Sequence, residues 1–182
     1  MTNYQKRFLD PKQLESAAAE VGALAKQEGV RVALIGGFAL QHYGSDRLTG
    51  DIDFAAASIL NGLPGGPPLS FGGVQTTSPS GVPVDLVVRE DDYRGLYEEA
   101  LEKAVQVEGL PVLLVLPEYL AAMKMAAARD RDLLDLEFLL RARAVDAAKA
   151  RHIIYRHLGP YAAQELDRLV DEVEWKRHRD EK

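Results

Sequence analysis

The sequence predicts an α/β (α+β) domain: a small mixed β-sheet with flanking helices, followed by a C-terminal helical segment. Three observations carry this. Short apolar or alternating stretches, at 32–35, 52–54 and 82–88, concentrate in the first half of the chain. Helical periodicity dominates from about Tyr93 onward. At 182 residues, with no internal repeat and no linker, the chain suits one domain with a helical appendage. The expected division is a core with an N-terminal helix over 1–116 and a helical segment packed on it over 117–182.

The elements follow in order. Leu14, Val21, Leu24 and Ala25 recur at helical spacing within 12–28, and Gly29 is the stop. The apolar strand Val32–Ile35 runs straight into Gly36-Gly37, and FALQHYG then reads as one or two helical turns. Ile52 and Phe54 alternate with Asp51 and Asp53, the period of a half-buried strand. Residues 61–83 hold six glycines and five prolines, which argues against a long regular element. Within and just beyond them, FGGVQTTS and VPVDLVV flank a Pro-Ser-Gly turn and read as a hairpin, with Asp85 alternating with Val84 and Leu86. YRGLYEEALEKA is helical, VLLV is a short strand, and Pro117 opens a helix expected to run unbroken through PEYLAAMKMAAARDRDLLDLEFLLRAR. A final helical pair, 145–157 and 160–178, is split at Gly159-Pro160.

Composition excludes several classes. Hydrophobic residues at 47% and charged residues at 27% are a soluble globular balance, not a disordered one. A net charge of −6 gives no global field for holding nucleic acid, although 15 of the 22 Lys and Arg lie after residue 91. Having no cysteine, the chain has no disulfides, thiolate nucleophile or thiolate zinc site, which fits a reducing compartment. MTNYQKRFLDPKQ lacks the apolar core of a signal peptide, and the longest aliphatic run, Val112–Leu116, is too short to cross a bilayer. The expectation is a cytoplasmic protein with no membrane partner.

The informative segment is ALIGGFALQHYGSDRLTGDIDFA. A strand ending in two glycines that open a helix exposes N–H groups at a positive dipole end, which suits phosphate oxygens. A tight strand-to-helix turn explains Gly36-Gly37 equally well. Asp51 and Asp53, two apart on a strand, bring two carboxylates to one face, where they repel unless a cation or proton lies between them. Hard oxygen ligands select Mg²⁺ or Mn²⁺. A solvent-facing strand edge also explains an isolated Asp-x-Asp. Asp85, a third strand carboxylate among apolar neighbours, argues for a partner such as a metal.

Together these residues resemble the nucleotidyltransferase superfamily typified by DNA polymerase β. The pieces are Gly36-Gly37, thirteen intervening residues, Asp51-Ile52-Asp53, and Asp85 in VDLVV. GGFALQHYGSDRLTGDIDF and LPEYLAAMKMAAARDRDLLDLEFL further resemble two motifs of bacterial nucleotidyltransferase-like proteins related to type IV toxin–antitoxin toxins. The resemblance spans about residues 30–140. Arg131 stands where that pattern has lysine, and the 61–83 stretch replaces a helix that often precedes the third strand.

The resemblance implies NMP transfer from an NTP to an acceptor hydroxyl, with release of pyrophosphate. Gly36 and Gly37 would cradle the triphosphate, and Asp51, Asp53 and Asp85 would hold Mg²⁺ or Mn²⁺. Asp85 would also help activate the acceptor. Lys124 would reach the triphosphate, and Asp132 or Asp135 would fill the family's acidic position after the arginine. Arg47 and Thr49 either fix the loop before Asp51 or, for Arg47, touch phosphate. RNA, particularly a tRNA 3′ end, is the favoured acceptor; a protein hydroxyl and an aminoglycoside-like molecule follow. A toxin-like role would add a cognate antitoxin-like partner.

Two readings of another class stand beside this one. The altered 61–83 segment and small size suit a catalytically degenerate nucleotidyltransferase-fold module that binds or regulates. The stripe Leu166, Leu169, Val170 and Val173 suits either packing on the core or docking on a partner, with core packing expected.

Overall fold

The computed structural model describes residues 8–180, so the first seven residues of MTNYQKRFLDPKQ lie outside the described residues. Helix α1 (Pro11–Glu28) starts with a capping box between Asp10 and Gln13 and stops at Gly29, in the left-handed region at φ 68°. Strand β1 (Val32–Ile35) is buried throughout and leads into α2 (Gly36–His42). Strands β2 (Ile52–Ala56), β3 (Val74–Thr77) and β4 (Pro83–Val87) follow, then α3 (Arg94–Lys103). Two short strands, β5 (Val105–Gln106) and β6 (Leu113–Leu114), precede α4 (Pro117–Ala127) and α5 (Asp130–Arg141). Helices α6 (Ala147–Leu158) and α7 (Pro160–Asp180) close the chain.

The strands form one mixed sheet in the order β3-β4-β2-β1-β6-β5. β2 runs antiparallel to β1 and parallel to β4, which sets Asp53 beside Asp85 in register. Neighbouring strands lie about 4.8 Å apart, so these two carboxylates emerge from adjacent points on one face. Ile52, Phe54, Val84 and Leu86 are fully buried, as the alternation required. Asp51 itself lies one residue before β2, so the turn rather than the pleat directs it.

β3 and β4 form the expected hairpin, with Gln75 opposite Asp85. The glycine- and proline-rich segment before them packs along β3 instead of forming a helix. Thr76 Oγ1 donates to the Pro64 carbonyl at 2.5 Å, and the Gln75 N–H donates to Pro67 at 2.9 Å. A Cβ on Gly66 would stand 1.8 Å from the Gln75 carbonyl oxygen, so only glycine permits this approach. The segment thereby covers what would otherwise be an open sheet edge.

The helix expected to continue from Pro117 to Arg143 is broken. α4 ends at Ala127, Ala128 adopts φ 49°, and α5 starts afresh at Asp130. No glycine or proline marks this break, which is why periodicity alone runs through it. Strand β5 is not marked in the sequence, because its two residues are exposed and show no burial pattern.

One hydrophobic cluster runs from Leu14 on α1 through the sheet to Leu166 and Val173 on α7. Leu169 and Val170 pack against it, so the α7 stripe serves the core. Among the described residues, no helix is long and apolar enough to cross a membrane.

Candidate active site

A cavity of about 330 Å³ opens where β2, β4, the start of α2 and the α4–α5 corner meet. Asp51, Asp53 and Asp85 all line it, with Gly36, Gly37, Arg47, Lys124 and Asp132. Asp135 and Thr49 stand directly behind that wall. The fold thus gathers every residue singled out in the sequence around one space.

Asp53 is its most perturbed group. Part of the residue remains exposed, yet the surrounding protein strips enough water from the carboxyl to raise its pKa to about 7. The charges of Asp51 and Asp85 push the same way, against Lys124 and a hydrogen bond from the Gly37 N–H. The Asp53 carboxyl thus lies close to the Gly36-Gly37 turn. Gly36 explains how it gets there. A Cβ on Gly36 would fall 1.9 Å from Asp53 Oδ2, and its φ of 68° is left-handed.

The neighbouring carboxylates are held by short polar side chains. Thr49, almost fully buried, donates from Oγ1 to Asp51 Oδ1 at 2.8 Å. Gln75 Nε2 donates to Asp85 Oδ1 at 3.2 Å, a contact that follows from the hairpin register.

On the helical side lies a ladder of ions. Lys124 Nζ donates to Asp132 Oδ1 at 2.9 Å and to Asp135 Oδ2 at 2.7 Å, all three groups being buried. Arg47 caps Asp135, and Arg129 Nε donates to Asp132 Oδ2 at 2.6 Å. Burial pushes the Asp132 carboxyl up, but the hydrogen bonds from Arg129 and Lys124 prevail and hold it below the ordinary range. The break at Ala128 makes this ladder possible by folding α5 back beside α4. Arg129 and Arg131 line the cavity with Phe71 and Tyr97.

The donor set suits a hard divalent cation. Three carboxylates converge on one cavity, and mutual repulsion is part of what raises Asp53, a cost that a cation removes. Among the described residues, no three His, Asp or Glu side chains are placed so as to hold one metal ion together. Mg²⁺ does not require three, since it commonly binds through one or two carboxylates and completes its shell with water and substrate phosphates.

Comparison with solved structures bears on this geometry. The antibiotic-resistance factor ANT(2'')-Ia, a nucleotidyltransferase, superposes with a TM-score of 0.56, covering 86% of this chain and 97% of its own at 16% identity. The fold is that of the nucleotidyltransferases. An antigenic nucleotidyltransferase-like protein from Paracoccidioides brasiliensis is similar at a TM-score of 0.49 and 14% identity, over 91% of this chain and 95% of that one. The nucleotidyltransferase assignment rests on ANT(2'')-Ia, and at such identity it is an assignment of fold. No protein-family model matches the chain. Among curated proteins, the uridylate kinase of Marinobacter nauticus is 33% identical over 106 residues, 54% of this chain and 43% of its own length. The uridylate kinase of Alcanivorax borkumensis is 34% identical over 93 residues, 47% of this chain and 36% of its own. The chain therefore spans less than half the length of the curated relatives that it matches.

Proposed function

We propose that this protein is a metal-dependent nucleotidyltransferase that moves a nucleoside monophosphate from an NTP to an acceptor hydroxyl. One observation carries the reading: Asp51, Asp53 and Asp85 line a single cavity with Gly36, Gly37 and Lys124, on a fold of this kind. Mg²⁺ or Mn²⁺, held by carboxylates of the Asp51, Asp53 and Asp85 set together with substrate phosphates, would supply charge neutralisation at the attacking and leaving oxygens.

The chain's own residues would do the rest. Asp85 takes the proton of the acceptor hydroxyl as its oxygen bonds to the α-phosphorus. The bond from that phosphorus to the bridging oxygen breaks, and pyrophosphate leaves. Lys124 and Arg47, which line the same cavity, offset the charge gathering on the leaving group. Thr49 and Gln75 fix the Asp51 and Asp85 carboxylates, so little reorganisation is needed during reaction. An RNA 3′ end remains the favoured acceptor, with a toxin-like role and a cognate partner protein as its extension.

A second reading, a module that binds nucleotide without turnover, is favoured by one observation. Lys124 is already committed to Asp132 and Asp135. The two readings part in a single experiment. The protein is incubated with Mg²⁺, total RNA and NTPs labelled at either the α- or the γ-phosphate, beside Asp53→Ala. Label from α alone reaching RNA or protein, only in the wild type, is the expected result. Transfer from γ would instead indicate a kinase reaction, as the names of the two curated relatives describe. Metal-dependent NTP binding without transfer of either label would favour the module.

A further inference from the structure

A second cavity, of about 320 Å³, adjoins the first and shares Phe71, Tyr97, Met123, Ala127 and Arg129 with it. The described reaction uses none of its distinctive groups. At its centre the Arg89 guanidinium lies 4.9 Å from the ring centroid of Tyr93, 5.4 Å from Tyr97 and 5.8 Å from Phe71. Asp91 fixes the same guanidinium, accepting from Nε at 3.0 Å and from Nη2 at 2.6 Å. Planar groups are therefore held in place before any ligand arrives.

We propose that this annex receives the terminal base of a single-stranded RNA acceptor, stacked against the Phe71 and Tyr93 rings. The proposal rests on the transferase reading above and assigns it an acceptor subsite.

Chain direction argues for the acceptor rather than the NTP. Asp85 and Val87 line the first cavity and Arg89 the second, so the chain leaving β4 runs from one to the other. Four residues span at most about 14 Å, roughly the reach needed between a reacting hydroxyl and the body of its nucleotide. A group whose hydroxyl meets Asp85 has room for its body along this path into the annex, whereas Lys124 and Arg47, the groups suited to the triphosphate, line the first cavity and not the second.

Chemistry argues for a base. Aromatic and guanidinium faces stack on any nucleobase irrespective of sequence. The volume lies at the low end of small-molecule pockets, which run from about 300 to 1,000 Å³, and suits one ring system rather than a linked set of sugars. Arg89 and Arg129 are both paired with aspartates, so the walls are near neutral and suit a planar neutral ring better than a polycationic aminoglycoside, which they give no net charge to attract.

The test uses the full chain, a 5′-fluorescein RNA 12-mer with a free 3′ hydroxyl, methylanthraniloyl-ATP, and the substitutions Phe71→Leu and Tyr93→Leu. Leucine keeps apolar bulk and removes the stacking face, and Phe71→Tyr restores that face. RNA binding, read by anisotropy, should weaken roughly ten- to a hundredfold in the leucine variants and recover in Phe71→Tyr. ATP-analogue binding with Mg²⁺ should stay within about twofold in Tyr93→Leu, whose side chain lines only the annex, and thermal melting should confirm that each variant folds. Wild type that does not bind the RNA, or leucine variants that bind it equally well, would overturn the proposal. Loss of ATP-analogue binding in Tyr93→Leu instead would assign the annex to the NTP base and overturn it too. Saturable binding of kanamycin that depends on Phe71 and Tyr93 would likewise defeat it. If RNA binds as expected but no α-label is ever transferred, the transferase reading fails while the RNA subsite stands.

Discussion

Asp135 Oδ2 accepts hydrogen bonds from two cations at once, Lys124 Nζ at 2.7 Å and the Arg47 guanidinium. The first cation comes from α4 and the second from the loop before β2, so one oxygen ties the helical segment to the sheet. Removing one partner from a buried ion group leaves uncompensated charge and costs about 3 kcal/mol or more. Asp135→Asn should therefore lower stability in urea by about that amount. It should also free Lys124 and Arg47 toward the cavity, so NTP affinity holds or rises. Lys124→Met should lose NTP affinity at least about tenfold if the lysine serves the triphosphate. Equal loss of NTP affinity in both variants would reduce the lysine to a structural role.

Asp53 yields a prediction of opposite sign for stability and binding. Its carboxyl titrates near 7 in the fold and near 3.8 in the unfolded chain, so ionisation is harder in the folded protein. The metal-free fold accordingly loses stability as pH rises from about 4 through 7. Asp53→Asn should raise the melting temperature of metal-free protein at pH 8 by a few degrees, on the order of 1 kcal/mol. The same change should abolish Mg²⁺-dependent NTP binding. In the wild type, Mg²⁺ affinity should climb with pH and flatten above about 7, because the ion displaces a proton. Calorimetric affinities that are flat between pH 5.5 and 8 would exclude this account.

Gly36 ties backbone conformation to that carboxylate. Gly36→Ala meets both a left-handed φ of 68° and an overlap with Asp53 Oδ2. The expected loss is at least about 2 kcal/mol, from strain and displacement of a packed group. Chemical denaturation reads the loss. Nucleotide binding should fail in the fraction that still folds.

Much of this site could be read from the sequence because its parts are local. Gly36-Gly37, Asp51-Ile52-Asp53 and Asp85 each mark a strand end or a pleat, and period-two alternation tells which face Asp53 and Asp85 share. The ladder of Arg47, Lys124, Arg129, Asp132 and Asp135 could not be read that way. It depends on a corner at Ala128 that an alanine-rich run hides, because alanine favours helix and nothing in the run breaks it. The closing force is tertiary: buried charges find partners only when α5 turns back. The aromatic cluster around Arg89 was invisible for a similar reason, being assembled from a loop, the end of β4 and α3.

That corner makes its own prediction. Alanine in the left-handed region costs about 1 kcal/mol that glycine does not pay, partly offset by the greater freedom of unfolded glycine. Ala128→Gly should thus be neutral or stabilising by up to about 1 kcal/mol in urea, unlike glycine in a helix interior. A loss near 1 kcal/mol, the ordinary penalty within a helix, would mean that α4 and α5 are continuous in solution.

Glu99 provides a check on the packing of the helices, independent of the cavity. Burial works to raise its pKa, but hydrogen bonds from Arg156, His157 and Tyr119 outweigh it and hold the carboxyl at about 2. Those partners lie on α6 and α4, so Glu99 on α3 joins three helices. A depressed pKa means that the folded state prefers the ionised form. The resulting stability is present above about 4.5 and is lost as pH falls from there toward 2. The group is near the surface, where solvent screening keeps its net contribution to about 1 kcal/mol. Glu99→Gln should be less stable than wild type at pH 7 by about that amount. The difference should shrink below pH 4.5 and vanish near pH 2, a convergence that paired urea titrations across the range would detect. A gap that persists at pH 2.5 would mean that shape and packing, not charge, are what Glu99 contributes.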